Sequence, residues 1–188
     1  MIVIFDIETG GTNLQIHPLI QIAAVSVTPS FEIRSEFERK ILFDVSTADP
    51  EALRMNTYSK TEHWDMEAVP EKKALEDFQK FLSLSASFSR VSKKGNTFKV
   101  SKLAGYNSTG FDVPWIQSYF RKHNLFLPAD NRSLDVLHLA ISKLFLFEET
   151  LPNMQLSTVA KHFGVETPDA HDALGDVRTT AKVLQKLL

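Results

Sequence analysis

Residues 1–8 open the chain with an apolar run, Met-Ile-Val-Ile-Phe, that passes into alternation at Asp6, Ile7 and Glu8. A run so short and so rich in β-branched and aromatic residues predicts a strand buried on both faces, because a helix of that length could not fill a core. Residues 19–27 repeat the pattern and predict a second buried strand, which Thr28-Pro29-Ser30 breaks. Residues 31–43 place Ile33, Phe37 and Ile41 among Glu and Arg, as expected of a third strand with one wet face. The connections are short, so the three strands should form an antiparallel meander.

Helical spacing follows. Asp49-Pro50-Glu51 is a helix start, and a second helix begins near Pro70-Glu71, with Ala74, Leu75, Phe78, Phe81 and Leu82 three and four apart on one stripe. Residues 83–102 are the least regular part, and Lys93-Lys94-Gly95-Asn96 is a candidate hairpin turn. Symmetric pairing about that turn sets Val91 opposite Phe98 and Arg90 opposite Lys99. Residues 102–106 predict another strand. The loop 107–110 then leads into a helix with Asp112 and Pro114 in its first turn and Trp115, Ile116, Tyr119 and Phe120 on its apolar face. Residues 133–136 suit a fifth strand before a helix at 137–146. Residues 156–163 predict a helix closed by Gly164, and a last helix runs from about residue 170 to 188 with Ala173, Val177, Ala181 and Leu184 facing inward. This order is an α/β layer arrangement with a mixed sheet.

At 188 residues without a linker or internal repeat, the chain is read as one domain, 1–188. It has no Cys, so disulfides, zinc-thiolate sites and a thiol nucleophile are excluded, and any metal must be held by oxygen or imidazole. The absence of Cys, of a membrane-length apolar run and of a signal-peptide pattern predicts a cytoplasmic, intracellular protein without a membrane partner. Net charge is −2, but it is unevenly spread. Between residues 78 and 111 there is no Asp or Glu, while Lys80, Arg90, Lys93, Lys94, Lys99 and Lys102 supply six cations, leaving 15 Lys and Arg against all 23 acids elsewhere. A basic, hairpin-like segment at about 85–102 therefore stands apart from an acidic body. Phosphate is one candidate partner for it, and a solvated surface hairpin is the plainer reading.

Side chains two apart on a strand share a face, so Asp6 and Glu8 stand together where the first strand leaves the core. No Lys or Arg lies between Met1 and Gln21 to neutralise them, and a hard cation such as Mg2+ would. Two acids are a weak motif, and a strand cap facing water explains them as well. Asp112 near a helix start, Asp176 within a helix and His171 likewise have ordinary explanations when taken singly. Asp172 and Asp176 are four apart and share a helix face, so spacing does not decide which of them could reach a metal. His171 could join Asp176 only from a loop preceding the regular helix.

Taken together, Phe5-Asp6-Ile7-Glu8-Thr9, Tyr106-Asn107-Ser108-Thr109-Gly110-Phe111-Asp112 and His171-Asp172-Ala173-Leu174-Gly175-Asp176 resemble the three motifs of the DEDDh 3′–5′ exonucleases, which include polymerase proofreading subunits, oligoribonuclease and ribonuclease T. The resemblance implies a ribonuclease-H-like fold, a mixed five-stranded sheet of three antiparallel strands and then two parallel ones, flanked by helices. It implies two Mg2+ or Mn2+ ions, with Asp6 bridging both, Glu8 and Asp176 completing the first, Asp112 holding the second largely through water, and His171 as general base. Thr9, Gly10, Gly11, Thr12 and Asn107 would contact the last nucleotide, and Phe111 or Trp115 is a candidate for stacking on a base, although aromatics on a helix are more often core. Gly10 stands where many members carry a second Thr, and the stretch 106–114 is similar to the proofreading domains of family B polymerases. The implied activity releases nucleoside 5′-monophosphates from the 3′ ends of single-stranded nucleic acid, DNA favoured, in proofreading or repair. The implied partners are that substrate and a DNA polymerase, for a monomer or homodimer. The alternatives are an RNA 3′ exonuclease, a non-catalytic nucleic-acid-binding module on the same fold, or a phosphohydrolase of small nucleotides.

Overall fold

A computed structural model of the chain describes residues 1–188 except 57, 59–61 and 168–171; at 62 and 63 it describes the backbone alone. Strands β1 (Ile2–Thr9), β2 (Leu19–Val27) and β3 (Ile33–Lys40) come first, followed by helices α1 (Pro50–Met55), α2 (Glu62–Glu67) and α3 (Glu71–Leu84). A hairpin of β4 (Phe88–Val91) and β5 (Thr97–Val100) precedes β6 (Lys102–Gly105), α4 (Asp112–Lys122) and β7 (Leu134–Asp135). Three helices complete the chain: α5 (Val136–Leu146), α6 (Leu156–His162) and α7 (Ala173–Leu187).

The main sheet has the order β3-β2-β1-β6-β7, antiparallel from β3 to β1 and parallel from β1 to β7, as expected. Alternation along β1 divides the core in two. Val3, Phe5 and Ile7 pack with α3 and α4, whereas Ile4 packs with α5, α6 and α7. The central strands β1 and β2 are therefore buried on both faces, which is why they read as apolar runs rather than as strict alternation. No described helix is long and apolar enough to cross a membrane.

Three local features differ from expectation. The third strand is shorter than 31–43, because Phe31 has a left-handed backbone (φ 65°) and regular pairing begins at Ile33. Helix α2 has no counterpart in the sequence pattern; it is too short for a helical period to show, and among the side chains described in it Trp64 is the buried one. The hairpin pairs Arg90 with Phe98 and Ser89 with Lys99, one step away from the expected Val91 opposite Phe98 and Arg90 opposite Lys99. The cause is the loop. Ser92 N–H donates to Asn96 O, and Gly95 takes φ 83°, so three residues rather than two lie in the turn and every side chain changes its partner.

Candidate active site

The row of side chains formed by Ile2 and Ile4 on one face of β1 continues into Asp6 and Glu8, which are partly exposed where the strand leaves the core. That face is the one α7 covers, and α7 begins beside the acids. Asp172 caps the helix, its carboxylate accepting the Gly175 N–H at 3.0 Å. Asp176, one turn further on, acts most strongly on Glu8 of all neighbouring charges and acts on Asp6 as well. Asp172 is thus engaged as the cap, and although its charge also reaches Glu8, that of Asp176 acts there more strongly. The described part of α7 begins at Ala173 rather than near residue 170, and His171 lies outside the described residues.

Asp112 comes from the opposite layer. Strand β6 pairs with β1 only as far as Ile4 and Ala104, so further along β1 that edge is open. The Ile7 N–H on the open edge donates to Asp112 Oδ1 at 3.1 Å, and Asp112, the first residue of α4, is buried. The connection from β6 to α4 is shaped by close packing and by one carboxylate. A Cβ on Gly105 would stand 2.6 Å from Ser108 Cβ and 2.8 Å from the Phe5 carbonyl, so only glycine lets this loop lie against β1. Asp135, buried at the end of β7, accepts the N–H groups of Asn107 at 3.1 Å, Thr109 at 3.0 Å and Leu137 at 3.1 Å, and the Thr109 hydroxyl at 2.6 Å.

Electrostatics reports how close the acids are. Burial, then Asp112, Glu8 and Asp176, push the Asp6 carboxyl well above its usual range. Burial and then Asp176, Asp112 and Asp172 push Glu8 up to about 7. Asp112 is also pushed up to about 7, mainly by burial and further by Asp135, against the Ile7 N–H and its own N–H, which favour the ionised form. The charges that raise all three are those of other carboxylates. Such a set is unfavourable as ions and suits a hard divalent cation, which oxygen donors bind and which removes their mutual repulsion. Among the described residues no three of these groups already form a closed metal cage.

The residues after Glu8 form a turn held from three directions. Gly10 N–H donates to Pro18 O at 2.8 Å, Asp49 N–H donates to Gly10 O at 2.6 Å, and Asn56 Nδ2 donates to Thr9 O at 2.6 Å. A Cβ on Gly10 would stand 2.7 Å from both Ala48 Cβ and Pro18 Cδ, which accounts for glycine at this position. The Thr9 hydroxyl is turned onto Gly11 O at 2.7 Å, leaving Thr12 as the exposed hydroxyl of the turn. Asn107 is exposed and left-handed (φ 58°). Phe111 is partly exposed, its ring 5.5 Å from that of Trp115, whereas Trp115 itself is buried core. The sequence reading passed over Asn56 and Asp135. Asp135 carries a signal as the acid between a strand and a helix, where capping is expected; its hold on the 107–109 loop has none.

An exonuclease family model, RNase_T, matches residues 3–184. The chain is 30% identical over 190 residues to the DNA polymerase III PolC-type of Oceanobacillus iheyensis and 29% identical over 190 residues to that of Halalkalibacterium halodurans, in each case covering 99% of this chain and 11% of the relative. It therefore spans about a tenth of the length of these curated relatives. Among solved structures, E. coli Exonuclease I in complex with a dT13 oligonucleotide superposes with a TM-score of 0.76 at 19% identity, covering 98% of this chain and 40% of that one. The zinc-bound form of the E. coli ExoI–ssDNA complex gives 0.73 at 19%, covering 96% and 38%. Exonucleases of this kind depend on divalent metal ions. With the family model matching nearly its whole length, this chain belongs to the RNase_T exonuclease family, within the DEDDh-type 3′–5′ exonucleases.

Proposed function

We propose that this chain is a two-metal 3′–5′ exonuclease that releases nucleoside 5′-monophosphates one at a time from the 3′ ends of single-stranded DNA. The observation that carries the reading is the convergence of carboxylates from β1, α4 and α7 at the end of β1, where burial and the neighbouring carboxylates hold Asp6, Glu8 and Asp112 above the usual carboxylate range.

In this reading Asp6, Glu8, Asp112 and Asp176 would hold two Mg2+ or Mn2+ ions. When bound, the ions supply charge neutralisation at a phosphodiester that is already anionic and a more acidic attacking water. His171 takes the proton of that water, a task suited to an imidazole because its unperturbed pKa of about 6.5 leaves it substantially neutral near pH 7. The turn of Thr9, Gly10, Gly11 and Thr12, braced by Asn56 and Asp49, together with Asn107, receives the terminal nucleotide. Phe111 offers the partly exposed ring for a base; Trp115 is part of the core. The choice of DNA is supported by the DNA polymerase relatives and by the DNA-bound state of the exonuclease I structures, and the polymerase relatives likewise support a DNA polymerase as partner.

A 5′-labelled single strand incubated with Mg2+ or Mn2+ should shorten stepwise from its 3′ end, and Asp6→Ala should abolish this. Matched DNA and RNA oligonucleotides run side by side decide the sugar. Shortening from the 5′ end, or unchanged activity in Asp6→Ala, overturns the proposal.

A further inference from the structure

We infer that the β4–β5 hairpin is a second nucleic-acid contact, in which Lys93, Lys94 and Lys99 take phosphates of the strand whose 3′ end is in the active site. The inference rests on the function proposed above for its ligand, but the surface is separate from the reaction centre.

Not all of the segment's positive charge is available. Asp130, whose side chain is wholly enclosed, pairs with Arg90 and with Lys102 Nζ at 2.8 Å and accepts the Arg132 N–H at 3.2 Å. Alternation explains the division. Arg90 and Phe98 are cross-strand partners on the face turned to the body, where the Phe98 ring lies 6.1 Å from that of Phe126. Ser89 and Lys99 are partners on the other face, with Val91 and Thr97, and all four are exposed. Lys93 and Lys94 are exposed at the tip. Among the described residues none of Lys93, Lys94 and Lys99 makes an ion pair, so three cations project from a base fixed by a buried ionic cluster. Clustered like charges on a ribbon repel one another, and a polyanionic strand relieves that repulsion while releasing its own counterions.

The position of the hairpin determines what the contact can do. It leads directly into β6, whose Lys102 pairs with Ile2, at the end of β1 away from Glu8. The span from Ile2 to Glu8 is roughly 20 Å at about 3.3 Å per strand residue. The terminal nucleotide cannot bridge it. At about 3.4 Å per stacked nucleotide the lysines lie roughly six nucleotides from the 3′ end, and a fully extended strand, at roughly twice that rise, reaches them after about three. The hairpin should therefore raise affinity for long strands and leave the shortest ones unaffected.

The test compares the native protein with a K93A/K94A/K99A variant and a K93R/K94R/K99R variant. Binding of fluorescent oligothymidylates is followed in EDTA over a range of salt, and hydrolysis of the p-nitrophenyl ester of thymidine 5′-monophosphate is followed with Mn2+. For a strand of about 20 nucleotides the alanine variant should bind roughly tenfold more weakly near physiological salt, with the salt slope reduced by about 2, as expected for three lost phosphate contacts. A dinucleotide should bind equally to all three proteins, the ester should be cleaved equally, and the arginine variant should behave as the native protein. The inference is overturned if long-strand binding and its salt slope are unchanged in the alanine variant, leaving a solvated surface, or if the dinucleotide or the arginine variant loses affinity in step. Absence of ester hydrolysis in every protein would instead count against the proposed catalysis, and the binding comparison would still be read.

Discussion

The carboxylate of Asp112 accepts the Ile7 N–H at 3.1 Å, so an acid from the helical layer on one face of the sheet is bonded to the strand that carries Asp6 and Glu8 on the other. Asp112→Asn keeps an oxygen acceptor for Ile7 while removing a buried charge. Metal-free thermal stability should be unchanged or higher, and exonuclease rate should fall at least about 100-fold, the scale of losing one metal-supported charge. Melting curves in EDTA and initial rates in Mn2+ check the two halves separately, and a destabilised Asn variant would contradict the bond.

The metal-free protein should gain stability as pH falls from about 8 to about 5. Asp6, Glu8 and Asp112 have folded-state pKa values raised above those of the unfolded chain, Glu8 and Asp112 to about 7. The folded state therefore binds more protons in this window, and their contribution, complete below the unfolded values near 4, is lost as pH rises through 7. Melting temperature in EDTA should drop by several degrees from pH 5 to pH 8, and saturating Mg2+ or Mn2+ should flatten or reverse the trend. A metal-free melting temperature that rises across this interval would exclude the carboxylate coupling.

Asp135→Ala should both destabilise the fold and loosen the site. It leaves the N–H groups of Asn107, Thr109 and Leu137 without their acceptor. The cost is roughly 3 kcal/mol by urea denaturation, about 1 kcal/mol for each of three part-buried hydrogen bonds lost. KM for an oligonucleotide should rise more than kcat falls, because Asn107 is in the held loop. Asp135→Asn retains one oxygen acceptor and should fall between the two.

Asp130 behaves in the opposite way to the active-site acids. Burial disfavours its charge, but Lys102, the Arg132 N–H and Arg90 outweigh burial and hold the carboxyl well below the usual range. Its contribution is present above about pH 4 and is lost as pH falls further. Asp130→Asn leaves Arg90 and Lys102 without a counter-charge, and because both cations are partly exposed the cost at neutral pH should be about 1–3 kcal/mol, with the difference from the native protein shrinking in strong acid. Denaturation at pH 7 and near pH 2 measures this.

Trp115 and Phe111 separate packing from binding. Trp115 is 2% exposed, with its ring stacked 6.0 Å from Tyr119, so Trp115→Ala should cost about 3–5 kcal/mol of stability. Phe111→Ala, at a partly exposed position, should cost less stability and raise KM for oligonucleotides. Equal effects on stability would remove the case for Phe111 as a base contact.

Much of this protein is legible from local pattern. Strands β1 and β2, the stripe of α3 and the pairing of Asp6 with Glu8 on one face follow from alternation and helical spacing, which act between near neighbours and need no partner to be recognised. The three motifs and their order were likewise open to reading. Spacing did not choose between Asp172 and Asp176; only the position at which α7 starts made one a cap and left the other beside β1.

What required the tertiary structure is everything set by where one element stops against another. Asp112 reaches β1 because β6 ends its pairing at Ala104 and exposes the Ile7 N–H. Asp135 and Asn56 enter the site through backbone groups, which every residue possesses and no side-chain pattern reveals. The hairpin register turned on the left-handed glycine at 95, and the division of its cations turned on Asp130, 28 residues beyond Lys102 in the chain. Short-range periodicity encodes which faces are apolar; hydrogen bonds and charges brought together from distant segments decide which polar groups meet.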